Sequence, residues 1–241
     1  MSRSNKSAGN TPAGKSRRSG TSKANQPVDP PFGRLCLVTP PLFDPQDFAP
    51  RLEGVLARGD VASLFIIAEG LDAAALARAT EQLVPIAQAN GVAAIASSAA
   101  LIDRTGADGL DVSEGLASLV EAAGRLRPAH IVGASNIHSR HEAMLLAETE
   151  CDYLFFGRFD GDGDPAIHDK TLDLAAWWSA LFEIPAIVMG GRDLASVREA
   201  VEARIEFIAL RRAVWDHPAG PEAAIAEASR LVLALEAEAR P

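Results

Sequence analysis

The sequence predicts one (β/α)₈ barrel over residues 32–241, behind a disordered basic tail over residues 1–31. After the tail, short apolar runs alternate with helical patterns eight times. The runs do not alternate apolar and polar residues, which is typical of parallel strands covered on both faces. About 210 residues shared by eight units give roughly 26 residues per unit, a size that suits this barrel. An open doubly wound sheet is the alternative architecture.

The tail contains Ser, Gly, Asn, Lys, Arg and Pro with almost no large apolar side chain. Such a segment buries too little surface to offset the entropy of ordering it, so we expect disorder. Residues 1–34 carry seven basic residues and one acidic residue, a net charge of +6, which leaves −15 for the rest. A solvated tail is the favoured interpretation, and binding of an anionic partner is the alternative.

Eight apolar segments are predicted as strands because each is short and is bounded by Gly, Pro or polar residues. The predicted strands cover residues 35–39, 63–68, 92–96, 109–112, 130–134, 153–156, 186–189 and 207–210. In a barrel of this kind the carboxyl ends of all strands meet at one face, and the active site lies there.

Each predicted strand is followed by a helical pattern, with apolar residues spaced three and four apart. Asp72, Ser113 and Ser139 are suited to cap three of these helices at the N-terminus, and Gly91 ends the helix that Asp72 begins. The predicted helices cover residues 47–58, 73–90, 99–104, 114–127, 139–149, 171–182, 193–203 and 221–237.

The composition excludes several classes of function. No apolar run approaches the length of about 18 residues that a membrane-spanning helix needs. Cys36 and Cys151 are the only cysteines, so no disulfide framework is expected and a reducing cytoplasm is the predicted location. The net charge of −9 argues against nucleic-acid binding by the barrel, and an aromatic content of 5% argues against a base-stacking platform.

The strongest candidate for a binding site follows strand 7. Gly190 and Gly191 end an apolar run before a helical pattern, so backbone N–H groups there could hold an anion. Arg211 and Arg212 follow strand 8, and the loops after strands 7 and 8 of this barrel commonly bind phosphate. Because arginine pairs well with phosphate, these four residues are predicted to bind the phosphate of a small ligand.

Other candidate residues follow strands 2, 4, 5 and 6. His138 follows strand 5, where an imidazole could transfer a proton near neutral pH; a solvated loop residue is the alternative. Glu69 and Asp111 fall at strand ends and are predicted to be partly hydrated carboxylates. The acidic loop over residues 160–170 is predicted to be mobile and solvated rather than a metal site, and a lid over the barrel mouth is a further alternative.

Four motifs occur in order and at suitable spacing. They are Gly-Ala-Asp-Gly at 106–109, Ile-Val-Gly-Ala-Ser at 131–135 with His138 beyond it, Asp-Tyr-Leu-Phe-Phe-Gly at 152–157, and Ile-Pro-Ala-Ile-Val-Met-Gly-Gly at 184–191. Together they resemble the thiamine phosphate synthase/TenI superfamily, a family of (β/α)₈ barrels. The resemblance implies one of two reactions. The synthase joins a hydroxymethylpyrimidine diphosphate to a thiazole phosphate with Mg²⁺ on the diphosphate, and the TenI branch isomerises a thiazole phosphate tautomer without a metal.

The sequence departs from the synthase where that family binds the diphosphate and Mg²⁺. Phe65, Ile67 and Glu69 stand where the resemblance implies Gln, Arg and Lys. Two apolar side chains and an acid cannot hold a diphosphate. Ala96 and Ser97 stand where the synthase has Asn and a Mg²⁺-binding Asp.

Three further places differ from the family. Its second metal carboxylate is replaced near Leu116, its Thr and Lys after strand 6 give way to three carboxylates within residues 158–164, and its Ser after strand 8 becomes Arg211 or Arg212. Mg²⁺ prefers carboxylates and substrate phosphates, so the metal site is predicted to be lost and no cofactor is expected. The half that binds thiazole phosphate, with the double glycine, the strand-8 turn and a histidine, is predicted to remain.

Three hypotheses of function follow. The leading one is a barrel that binds a small phosphorylated, thiazole phosphate-like ligand; if it is an enzyme, it is a synthase-like transferase or a TenI-like tautomerase with His138 as acid or base. The second is a non-catalytic paralogue that binds a phosphorylated ligand or serves as a scaffold. The third makes the tail the working part and the barrel its anchor. A membrane partner is not expected, and a homo-oligomer is compatible with the sequence.

Overall fold

Eight parallel strands form the centre of the computed structural model, which describes residues 32–239. The strands are β1 Arg34–Val38, β2 Val61–Ile66, β3 Ala93–Ala96, β4 Gly109–Val112, β5 Ile131–Ile137, β6 Tyr153–Phe156, β7 Ala186–Met189 and β8 Phe207–Leu210. They pair in chain order, and β1 pairs in parallel with β8, which closes the barrel. The predicted (β/α)₈ barrel is confirmed, and the doubly wound alternative is wrong. The predicted disordered tail, residues 1–31, lies outside the described residues.

Helices follow every strand and cover the outside of the barrel. They are α1 Pro45–Leu56, α2 Ala73–Ala89, α3 Ala99–Thr105, α4 Leu116–Leu126, α5 Arg140–Ala147, α6 Asp169–Ser179, α7 Ala195–Glu202, α8 Arg212–Trp215 and α9 Pro221–Ala239. Their apolar faces pack on the outward-facing strand side chains in one continuous outer core. Within residues 32–239, no helix combines the length and the apolar character that crossing a bilayer requires.

The helix caps were predicted in part. Asp72 accepts a hydrogen bond from the N–H of Ala75 at 2.7 Å and caps α2, and Ser139 accepts one from the N–H of Glu142 at 3.2 Å and caps α5. The predicted cap at Ser113 is wrong, because its hydroxyl donates to the neighbouring Glu114 and α4 begins at Leu116, with Gly115 in the N-cap position. The short helix α8 was not predicted.

Strand β5 is longer than its sequence indicates. It continues to Ile137, three residues past the predicted end. Ser135 and Asn136 are polar and therefore resemble a loop, but Ser135 points into the barrel and is buried. The pairing with β6 shifts register between Ala134 and Ile137, and Asn136 has a φ of 62°. A bulge thus carries the strand out to the mouth of the barrel.

The inward-facing side chains form a second, inner core that is aromatic near the carboxyl ends of the strands. The Phe65 ring lies edge-on to Tyr153 and Phe155, with ring centroids 5.7 and 5.4 Å apart. Gly133 leaves the space that Tyr153 fills, since a Cβ at residue 133 would lie 2.1 Å from the tyrosine Cζ. The interior beneath the mouth is therefore packed rather than open.

We expect Gly133→Ala to lower the free energy of unfolding by about 2–3 kcal/mol, because the added methyl group overlaps the Tyr153 ring. Urea unfolding followed by circular dichroism measures the loss. Gly124→Ala is the matched control: this glycine is exposed on α4 with nothing within 4 Å of an added Cβ, and Ala is favoured over Gly in a helix by up to about 1 kcal/mol. Equal stability of the two variants would contradict the packing described around Tyr153.

Candidate active site at the barrel mouth

The connection between β6 and α6, residues 157–168, covers the carboxyl end of the barrel and is called the β6–α6 loop below. Phe159 from this loop lies on the inner core, with its ring centroid 4.5 Å from that of Phe155 and 5.7 Å from that of Phe65. Farther along, the loop places a fully buried Asp162 against the turn after β8. The loop therefore closes both the centre of the mouth and its β8 side.

Arg211 and Asp162 form a buried ion pair at this turn. Arg211 directly follows β8 and only 1% of its surface is exposed. Its Nη2 and Nε donate to Oδ1 and Oδ2 of Asp162 at 2.8 and 3.3 Å. The backbone N–H of Arg212 donates to the same Oδ2 at 2.8 Å, while the Arg212 side chain is 44% exposed with its Nε 3.7 Å from Oδ1. Both arginines that were predicted to bind phosphate therefore contact the carboxylate of Asp162. The prediction of a solvated loop is wrong at Asp162, which is buried.

Glu69 completes the charges around this pair. Its Oε2 lies 3.6 Å from Nη1 of Arg211, which is too long for a hydrogen bond, and its side chain is 46% exposed. Over residues 32–239, Nη1 of Arg211 is the one buried side-chain nitrogen or oxygen atom that lacks a hydrogen-bond partner. Two arginines and two carboxylates therefore balance in charge, and one buried guanidinium nitrogen, Nη1 of Arg211, is left without an acceptor.

The double glycine lies beside the same loop. A Cβ at Gly191 would lie 2.1 Å from the carbonyl oxygen of Pro165, so the absent side chain makes room for the loop backbone. The next two N–H groups, of Arg192 and Asp193, donate to the carbonyls of Asp164 and Pro165 at 2.7 and 3.1 Å. Gly190 is less confined, because a Cβ there would lie 2.9 Å from Leu210 Cδ2, at the end of a flexible side chain. Close approach, rather than a left-handed backbone, is what requires glycine here.

His138 follows the end of β5 and is exposed. It borders a cavity of 280 Å³ between the end of β5, the β6–α6 loop and the start of α6, together with His168, Lys170 and Thr171. The lining includes three further cationic or imidazole-bearing side chains besides His138 and no carboxylate, but neither Gly191 nor Arg211. The structure therefore places His138 at the same mouth as the arginines but in a neighbouring compartment.

A buried polar cluster inside the barrel was not predicted. Asp111 accepts hydrogen bonds from the hydroxyls of Ser135 at 2.5 Å and Tyr153 at 2.9 Å, and only 4% of its surface is exposed. The prediction that Asp111 is partly hydrated is wrong. Burial raises the pKa of Asp111 to about 7, although the two hydroxyl donors oppose that shift. Burial and the neighbouring Asp111 also raise the pKa of Tyr153 well above its usual range.

These missed partners left only weak signals in the sequence. Asp162 lies between Gly161 and Gly163 in an acidic stretch that resembles many solvated loops. Its partner Arg211 lies 49 residues away. The motif containing Ser135 was recognised as part of the family resemblance, but nothing local indicates that its hydroxyl faces Asp111.

The fold and the site together define a (β/α)₈ barrel in which the turn after β8 binds the protein's own Asp162 carboxylate. The sequence profile described as thiamine monophosphate synthase matches residues 35–214. The chain belongs to this family.

Relatives and solved structures agree with that assignment. The chain is 37% identical to a thiamine-phosphate synthase of Rhodospirillum centenum over 203 residues, which cover 83% of this chain and 97% of the relative. It is 33% identical to one of Hyphomonas neptunium, over 81% of this chain and 91% of the relative. The structure of the thiamine phosphate pyrophosphorylase from Pyrococcus furiosus superposes with a TM-score of 0.67 at 18% identity, covering 84% of this chain and 96% of that one. At this low sequence identity, the similarity to the Pyrococcus furiosus structure shows a shared fold.

The Asp111 cluster predicts a specific pH dependence of stability. The folded state keeps the Asp111 proton up to about pH 7, whereas the usual pKa is 3.8. Between these values the folded state binds more protons than the unfolded state, so the contribution of Asp111 to the free energy of unfolding falls as pH rises. Asp111→Asn cannot ionise and can keep both hydroxyl contacts. We expect the free energy of unfolding of the variant, relative to that of the wild type, to increase by up to about 4 kcal/mol between pH 4 and pH 7.

Urea unfolding at a series of pH values measures this difference. Comparing the two proteins at each pH removes the contributions of all other titrating groups that they share. A difference that stays constant from pH 4 to pH 8 would show that Asp111 titrates as an ordinary, hydrated carboxylate.

Proposed function

We propose that this barrel binds a small phosphorylated molecule, with its phosphoryl group between Gly190, Gly191, Arg211 and Arg212. One observation carries the proposal: the protein already holds an anion at this place, the carboxylate of Asp162. A guanidinium and a backbone N–H converge on that carboxylate, and the same donors suit a phosphoryl group. The position after β7 and β8 is also where barrels of this fold commonly bind phosphate. We call these four residues the anion cup.

The class of ligand is inferred from the relatives. Those with the sequence identities given above are described as thiamine-phosphate synthases, and the half of the synthase site that binds a thiazole phosphate is the half whose counterparts remain in this chain. A thiazole phosphate-like molecule is therefore the proposed ligand. Its organic part would extend from the cup toward the cavity that His138 borders.

We further propose that the chain lacks the Mg²⁺–diphosphate half of the synthase site. Phe65 is buried under an aromatic cluster, so this position offers no polar group to a diphosphate. Asp162 is bound to Arg211, Asp160 to Arg158 and Asp111 to two hydroxyls. Among the described residues, no group of three or more His, Cys, Asp or Glu side chains is placed to hold a metal ion. Mg²⁺ is usually held by one or two carboxylates together with waters and substrate phosphates, and the residues present here do not offer it such a site. No reaction step through Mg²⁺ is proposed.

If the barrel is an enzyme, His138 is the proposed proton-transfer residue. A tautomerisation removes a proton from one atom of the ring system and returns one to another, and an imidazole is suited to both steps near neutral pH. The alternative is a non-catalytic binding protein. It is favoured by the closure of the mouth, where Phe159 and Asp162 fill the space above the inner core.

Isothermal titration with the thiazole phosphate, with and without Mg²⁺, tests the binding proposal. We expect saturable binding whose affinity does not depend on Mg²⁺, because the proposed contacts are arginine and backbone donors. The synthase reaction, assayed with the pyrimidine diphosphate and the thiazole phosphate, is expected to give no turnover. Robust Mg²⁺-dependent turnover would overturn the proposed loss of the diphosphate site, and no binding at all would overturn the phosphate proposal.

His138→Ala separates the enzyme from the binding protein. If His138 transfers a proton, the variant loses about 10²- to 10⁴-fold in tautomerase turnover while its affinity for the thiazole phosphate changes little. His141→Ala is the matched control, since His141 is also exposed and lies in the first turn of α5. Wild-type turnover that survives in both variants would remove His138 from the mechanism, and binding without turnover in the wild type would favour the binding protein.

A further inference from the structure

The anion cup is occupied by the protein itself. We propose that Asp162 is a built-in competitor for the phosphoryl group, and that the β6–α6 loop is a plug which a phosphorylated ligand must displace. This inference rests on the proposed function, because it concerns the same cup.

Asp162 occupies the donors of the cup that face the β6–α6 loop. The Arg212 N–H and the Nη2 and Nε of Arg211 all point at Asp162, at 2.8, 2.8 and 3.3 Å. The N–H groups of Arg192 and Asp193 beyond the double glycine are taken by loop carbonyls. A phosphoryl group cannot reach these donors while the loop remains in place. The loop and the ligand are therefore mutually exclusive at this position.

The rest of the loop offers little resistance to displacement. Asp160, Gly161 and residues 163–166 are all exposed, and Gly163 has nothing within 4 Å of an added Cβ. Gly157, at the start of the loop, has a φ of 96°, in the region that favours glycine. Four contacts hold it: Phe159 on the aromatic cluster, Asp162 in the cup, the carbonyls of Asp164 and Pro165 on the turn after β7, and the Ile167 N–H, which donates to Glu199 at 2.9 Å. Displacement of the loop by a ligand breaks the second and third contacts and leaves Ile167 as an anchor.

The charges in the cup favour the replacement of Asp162 by a phosphoryl group. Arg211 needs an anion at all times because it is buried, and an incoming phosphoryl group replaces the charge that Asp162 withdraws. Asp162 regains full hydration once it leaves the cup. A carboxylate has two oxygens and leaves Nη1 of Arg211 without a partner, whereas a phosphoryl group has a third. A carboxylate ligand gains nothing over Asp162, so phosphate is the better competitor.

The test uses the full chain and inorganic phosphate as the probe. Asp162→Asn removes the competing charge and nearly preserves the side-chain shape. If the open cup is populated at 1–10% in the wild type, we expect the variant to bind phosphate about 10- to 100-fold more tightly. Asp164→Asn is the matched control, with the same change of charge in the same loop at an exposed side chain, and is expected to bind phosphate as the wild type does.

The outcomes separate the two proposals. Equal phosphate affinity in the wild type and Asp162→Asn would overturn the plug and leave the cup intact. An equal gain in phosphate affinity in Asp162→Asn and Asp164→Asn would show that the effect comes from the overall charge of the loop, and it would also overturn the plug. If neither the wild type nor Asp162→Asn binds phosphate or the thiazole phosphate, the cup itself is wrong and Asp162 is a permanent replacement for a ligand.

A measurement on the wild type keeps the plug testable if Asp162→Asn does not fold. Amide hydrogen exchange is followed in residues 158–168 and in Arg192 and Asp193, with and without saturating thiazole phosphate. A displaced plug predicts faster exchange in the loop when ligand is bound, because the loop loses its contacts with the cup. Slower or unchanged exchange at saturation would show a lid that closes over the ligand, or a loop that takes no part, and would overturn the plug.

Discussion

The buried ion pair between Arg211 and Asp162 is the interaction on which the mouth of this barrel depends. Side chains alternate along β8, so Arg211, two residues after the inward-facing Ala209, also points inward. A guanidinium without water needs a nearby anion, and removing one partner of such a pair costs about 3–5 kcal/mol. Asp162 supplies that anion from 49 residues away. The conformation of the β6–α6 loop is therefore tied to the inward turn of one arginine.

Other contacts of the loop are consistent with that one attachment. With Asp162 in place, the loop backbone passes close to Gly191, where any side chain would overlap Pro165. Its carbonyls then accept hydrogen bonds from the N–H groups of Arg192 and Asp193, so these two groups of the turn after β7 have partners without a ligand. The phenyl ring of Phe159 covers the aromatic top of the inner core. Electrostatic, steric and apolar contacts thus favour the same closed arrangement.

The barrel could be predicted because its signal is local and repeated. Strands β4, β6, β7 and β8 were predicted to the residue, since each is a short apolar run with clear ends. The end of β5 was missed because Ser135 is polar for a reason that lies on another strand, the carboxylate of Asp111. The site was predicted only as a set of positions. Which carboxylate faces which donor depends on contacts between distant segments, and neither Asp162 nor Tyr153 carries a local sign of its partner.

In the part of the chain that the structure describes, two carboxylates are buried, and their environments differ in the groups that balance their charge. Asp162 is paired with a guanidinium and a backbone N–H, whereas Asp111 has only two neutral hydroxyls and a pKa raised to about 7. Membership of the family accounts for the barrel, whereas under the proposed function the charge balance around Arg211 selects the ligand. A molecule that binds there must then offer Arg211 a better anion than Asp162 already provides.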